Sequence, residues 1–97
     1  MNDDELLILK SYVEISGYRT NVMKSIGTET KIPSVIANES GIIPNHISNV
    51  LKDLKEHGLA VCINENARKG RLYRLTNEGL EVLEVLEWTG IQEKLVW

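Results

Sequence analysis

Three cations crowd one short, turn-rich run: Arg68, Lys69 and Arg71, set around Gly70. Guanidinium and ammonium groups at such a tip suit phosphate oxygens, by charge and by forked hydrogen bonding. Upstream lies a second polar set, Asn45, His46, Ser48, Asn49 and Lys52. Asparagine can bond an adenine edge through both amide atoms, and lysine can reach guanine acceptors or a phosphate. Each set also has a plainer reading: a solvated helix face, and a charged tip that aids solubility. Arg74, beside Tyr73, can bind phosphate or pair with a helix acid. Ser34 can hold a phosphate at a helix N-terminus through its hydroxyl and backbone N–H, or simply cap that helix.

Catalytic chemistry is not arranged. No Ser/His/Asp or paired-carboxylate constellation stands out, and Gly70 belongs to no phosphate-cradling loop. The expectation is a binding protein rather than an enzyme, with no cofactor and no metal. His46 and His57 are eleven residues apart on one helix, ~16 Å along its axis, so they cannot share a metal within a subunit. His57 suits the negative end of a helix dipole. Cys62 stands alone, which excludes an internal disulfide and a cysteine-based zinc cluster. It sits in an apolar run without a neighbouring cation, the setting of a buried, inert thiol rather than a redox sensor.

The elements that must position these residues follow from pattern. Asp3 to Ile15 reads as a helix with an acidic first turn and a stripe of Leu6, Leu9 and Val13; a strand over 6–9 is the alternative. Ser16 caps a second helix, Gly17 to Ile26, with Tyr18, Val22 and Ile26 on one side and Gly27 ending it left-handed. Residues 28–31 are loop-like. Pro33 opens a third helix, with Ile32 or Ser34 as its cap, and Val35, Ile36 and Ala37 facing inward. Ser40-Gly41 closes it and Ile42-Ile43 turns the chain. Pro44 to His57 is the next helix, with Ile47, Val50, Leu51 and Leu54 within a stripe of about 100°. Gly58 ends it. Leu59–Ile63 and Arg71–Leu75 read as the two strands of a hairpin. Thr76 caps a last helix, about Asn77 to Trp88.

That last helix is apolar over roughly 220° of arc at about 100° per residue, more than one core contact requires. The tail adds Ile91, Leu95, Val96 and Trp97. Burial in a homodimer is one solution, through Leu6, Leu9, Val82, Val85, Leu86, Trp88, Leu95 and Trp97. A tail folded back over the helix is the other. At 97 residues the chain is one domain. No apolar run reaches the roughly 18 residues of a membrane span, and the acidic N-terminus is unlike a secretion signal, so a cytoplasmic protein is expected. The net charge is −3. It is unevenly spread: residues 44–76 carry six cations against three acids, a balance of +3, while residues 77–97 stand at −4.

In their order, these elements carry a family resemblance. Ile36-Ala37, Ser40-Gly41-Ile42, Ile47-Ser48-Asn49, Leu51, Leu54 and Gly58-Leu59 resemble the helix-turn-helix of MarR- and ArsR-like winged-helix regulators. Residues 68–79 are similar to the wing and following helix of small archaeal regulators of that type, and Tyr18-Arg19 with Val22-Met23-Lys24 resembles their first core helix. The resemblance implies a mainly α, winged helix-turn-helix domain that regulates transcription on double-stranded DNA. Its 44–57 helix would enter the major groove and its 65–71 wing would follow the backbone or minor groove. The DNA-binding residues would be Ser34, Asn45, His46, Ser48, Asn49, Lys52, Arg68, Lys69, Arg71 and Arg74. One departure is Asn49, where many relatives carry a cation. A protein-interaction module without DNA binding is the rival reading, motivated by the acidic total and the apolar C-terminus. A third is a regulator whose small-molecule effector sits between subunits.

Overall fold

Hydrogen-bonding caps set most of the helix starts. In this computed structural model, which describes the backbone of residues 2–95 and the side chains of residues 2–88, α1 (Asp3–Glu14) begins where Asn2 accepts from the Glu5 amide at 2.8 Å. Helix α2 (Gly17–Ile26) begins where Ser16 accepts from the Arg19 amide at 3.4 Å. Gly27 ends α2 at φ +55° but ψ −129°, outside the left-handed helical basin expected of it. Helices α3 (Pro33–Ser40) and α4 (Pro44–Glu56) have no side-chain cap and start instead on a proline. Ile32, not Ser34, therefore holds the cap position of α3. Gly41 closes α3 in the left-handed conformation.

Strands β1 (Ala60–Cys62) and β2 (Tyr73–Leu75) pair antiparallel, with Ala60 opposite Leu75 and Cys62 opposite Tyr73. A third strand position is added from a segment with loop-like composition. The Lys31 N–H donates to the Tyr73 carbonyl at 2.9 Å, and the Tyr73 N–H donates to the Lys31 carbonyl at 2.8 Å. This bridge ties the chain just before α3 to β2, which thereby lies between Lys31 and β1. The Lys31 ammonium also contacts Glu39 on α3 at 2.7 Å and Glu29 at 3.3 Å.

Helix α5 runs from Asn77 to Leu95, well past the expected end near Trp88. A single glycine costs a helix about 1 kcal/mol relative to alanine, so Gly90 does not stop it. Thr76 starts it, accepting from the Gly79 amide at 3.0 Å while its hydroxyl donates to the Gly58 carbonyl at 2.6 Å. The core gathers Val13 from α1, Val22, Met23 and Ile26 from α2, Ile36 from α3, Leu51 and Leu54 from α4, Leu59, and Val82 from α5. Three sequence expectations fail here. Tyr18 is half exposed rather than packed with Val22 and Ile26, and Val35 is exposed beside buried Ile36 and Ala37, because α2 and α3 each bury a narrower stripe than their apolar content suggests. Val82 is wholly buried within its own chain, so it is a core residue and not a dimer contact. Leu95 and Trp97 lie outside the residues whose side chains are described. Cys62 is buried and free, as expected.

Gly79 sits where α5 crosses the hairpin. A Cβ built there would lie 2.1 Å from the Leu59 carbonyl oxygen and 3.2 Å from the Leu75 Cβ. The backbone at Leu59 would have to move. Gly79→Ala is expected to destabilise the fold by about 1–3 kcal/mol, read as a lowered urea midpoint.

The Lys31–Glu39 pair gives a pH signature. Its hydrogen bond holds Lys31 above the usual lysine range and, with a second bond from Ser25, holds Glu39 below the usual carboxylate range. A depressed carboxyl stabilises the fold above its unfolded pKa, and that stabilisation is lost as pH falls through the folded value. Glu39→Gln should therefore lower the urea midpoint at neutral pH. The gap from the parent chain should close in acid below the carboxylate range; a gap that persists there would show that charge is not its cause.

Candidate nucleic-acid interface

Helix α4 buries Ile47, Val50, Leu51 and Leu54 against the core. Helical geometry then sets Asn45, Asn49, Lys52 and Glu56 within about 60° of arc opposite that stripe. All four are exposed. The two flanks of α4 differ. Ser48 and Lys55 turn toward the hairpin, whereas His46 and Asp53 turn toward α2.

On the hairpin side, Ser48, Leu51, Lys52 and Lys55 of α4 face Arg68, Arg71 and Tyr73 across a cleft of about 450 Å³, with Pro33 at the start of α3 closing one end. Four cations thus converge on one concavity. Like charges focus their field in such a recess and attract anions there. Lys55 was not among the candidates from sequence, although its spacing of three from Lys52 puts both on one edge of the helix.

The Asn64 side chain braces the hairpin tip at two points. The Asn64 Oδ1 accepts from the Leu72 amide at 2.7 Å and its Nδ2 donates to the Gly70 carbonyl at 3.1 Å. The Ile63 amide meets the Leu72 carbonyl at 2.9 Å, and the Arg71 Nε donates to the Ala67 carbonyl at 3.0 Å. A salt bridge between Lys55 and Glu65 links the tip to α4. That hydrogen bond raises Lys55 above its ordinary range and lowers Glu65 below its own.

The α2 side is occupied by internal contacts. The His46 ring stacks on Tyr18 with centroids 5.9 Å apart. Asp53 pairs with Arg19 at 3.8 Å. The Arg19 guanidinium lies 3.8 Å from the Tyr12 ring centre, and the His57 ring lies 3.7 Å from the same centre. Two planar groups so near one ring must take its opposite faces. The His57 Nδ1 also lies 2.8 Å from the Asp53 carbonyl at the end of α4. This stack couples α1 and α2 to the C-terminus of α4.

Of the sequence candidates, Ser48, Lys52, Arg68 and Arg71 come together at the cleft. Asn45 and Asn49 stand on the open face of α4, and Lys69 is exposed at the tip. Ser34 is set apart, in a shallow groove with Asn38, Ile43 and Pro44 beside the turn. Arg74 also departs from the set. Strand residues alternate faces, and Tyr73 lines the cleft, so Arg74 points from the other face of the hairpin.

Two helices joined by a tight turn, followed by a hairpin whose tip returns to the second helix, define the architecture. The fold is a winged helix-turn-helix. Solved structures agree. A MarR family transcriptional regulator from Silicibacter pomeroyi superposes with a TM-score of 0.70 at 12% identity, over 96% of this chain and 69% of that one. The homodimeric winged helix-turn-helix DNA-binding domain of a possible ArsR-family transcriptional regulator from Mycobacterium bovis gives 0.68 at 20% identity, over 98% and 91%. MepR of S. aureus, in complex with DNA, gives 0.67 at 15% identity, over 95% and 77%. No protein-family model matches the chain, and no curated protein matches it. Among the described residues no helix is long and apolar enough to cross a membrane.

With the hairpin as the wing of this fold, Asn64 becomes the residue that shapes the wing. Asn64→Ala removes two hydrogen bonds from the tip. Amide exchange at Leu72 should quicken, and global stability should fall by about 1 kcal/mol; unchanged exchange at Leu72 would deny the bracing role.

Proposed function

We propose that this chain is a homodimeric regulator of transcription that binds double-stranded DNA sequence-specifically, with α4 in the major groove and the wing on the flanking backbone or minor groove. The observation that carries the reading is the cationic cleft in which Ser48, Lys52 and Lys55 of α4 face Arg68 and Arg71 of the wing. One surface then offers amide and ammonium groups to base edges and guanidinium groups to phosphates. The structural neighbours include a DNA complex and a homodimeric DNA-binding domain, which supports the same reading. In this proposal Asn45, Asn49 and Lys52 read bases. Arg68, Lys69 and Arg71 position the duplex, and Ser34 meets the backbone beside the turn. His46 contributes from the edge of the face, against Tyr18. Arg74 is the weakest member of the set, since it points away from the cleft.

The dimer belongs to the proposal through α1 and α5, which pack on one another. Leu6, Leu9 and Leu86 pack partly on their own core. Leu7, Ile8 and Ile15 on or next to α1, and Trp88 on α5, remain exposed apolar residues beside them. A second copy covering these residues would present two α4 helices to successive major grooves.

Fluorescence anisotropy on duplex DNA tests the proposal. Binding should weaken steeply with salt, and Arg68→Ala should weaken all duplexes alike while reducing the log–log salt slope by about 0.9. Lys52→Ala or Asn49→Ala should instead change which duplex is preferred. No duplex binding even at low salt sinks the proposal. A strict monomer by light scattering would remove its two-half-site form.

A further inference from the structure

The wing carries one acid beside its cations. Glu65 pairs with Lys55, and Lys55 lines the cleft with Lys52, Arg68 and Arg71. Of the two acids of α4, Asp53 is turned away to Arg19 and Glu56 stands at the end of the open face, beyond the cleft lining. Glu65 is thus the carboxylate engaged with a cleft cation. Its charge and its oxygens match those of a phosphodiester, which would meet the same ammonium group.

We propose that Glu65 stands in the place of one DNA phosphate at Lys55 and acts as an internal brake on DNA affinity. The inference rests on the DNA-binding reading above. Both side chains are about half exposed, 46% for Lys55 and 55% for Glu65, so an incoming phosphate can reach the pair from solvent. An exposed ion pair of this kind is weak enough to be exchanged. Glu65 is ionised at neutral pH as carboxylates ordinarily are, and its pairing with Lys55 draws it lower still, so the competing charge is in place there. The duplex must therefore displace a ligand already present. The chain's modest cleft charge is in this way reduced further at the point where helix and wing meet.

The test is a cycle of Glu65→Gln and Lys55→Ala, each full chain first checked for folding by circular dichroism melting. Anisotropy then gives duplex affinity at low salt. Glu65→Gln should bind about two- to fivefold tighter than the parent, the range expected from releasing an exposed ion pair. The gain should disappear when Lys55 is alanine. Equal or weaker binding by Glu65→Gln would overturn the brake and make the pair a strut that orients the wing. A gain that survives Lys55→Ala would also overturn it, because simple repulsion between Glu65 and DNA would explain the effect. If the parent chain and Glu65→Gln both fail to bind any duplex, the DNA-binding reading itself fails and the brake falls with it.

Discussion

The close approach of α5 to the Leu59 carbonyl governs the rest of the structure. At that point α4 has just ended, β1 begins, β2 has just ended and α5 begins. Gly79 leaves room for the carbonyl. The Thr76 amide donates to the same carbonyl at 3.0 Å, and the Thr76 hydroxyl reaches Gly58. Four elements are therefore held by a few backbone groups of adjoining segments. The angle between α4 and the wing follows from this knot, and so does the cleft between them. The Lys31–Tyr73 bridge adds a second tether from the entry of α3. With the wing fastened at both points, it cannot swing freely against the helix beside it.

An acidic chain builds a cationic recess by segregation. Asp53 is engaged away from the cleft, with Arg19, and Glu65 pairs with Lys55 at its edge. The acids of α5 lie beyond the hairpin. What remains at the cleft is the charge of Lys52, Arg68 and Arg71, with Lys55 partly committed. Total charge was thus a poor guide to this surface, and local placement a better one.

Element order was legible in the sequence because it is carried by strong local signals. Pro33 and Pro44 open helices, Gly41 and Gly58 close them, and the α4 stripe has a clear period. Those signals also placed Lys52, Arg68 and Arg71 on parts that converge. What escaped depends on contacts across the fold. The Lys31 bridge needs Tyr73 as its partner, so residues 28–31 read as loop. Tyr18 fits the α2 stripe by spacing, but its ring finds His46 instead of the core. Val82 looks like surplus apolar surface until α5 is seen packed against α1 and α2. Arg74 joins the wing cations in sequence, yet strand alternation turns it to the other face. Lys55 counted only as charge, because its importance comes from Glu65, ten residues away across the hairpin.

The bracing of the wing by Asn64 has an evolutionary consequence. Residues 65–70 contribute nothing to the core cluster. Their shape is held by the Asn64 amide, by the Arg71 side chain, by the Lys55–Glu65 pair and by main-chain bonds, none of which involves the side chains of Arg68 or Lys69. Substitutions at Arg68 or Lys69 are therefore nearly free of folding cost, whereas the platform beneath them is tightly constrained. Tip residues of such a chain can therefore be exchanged while the scaffold beneath them stays constrained. Divergence concentrated at the tip and arrested at Asn64, Thr76 and Gly79 is the pattern that this division of labour leaves in a lineage.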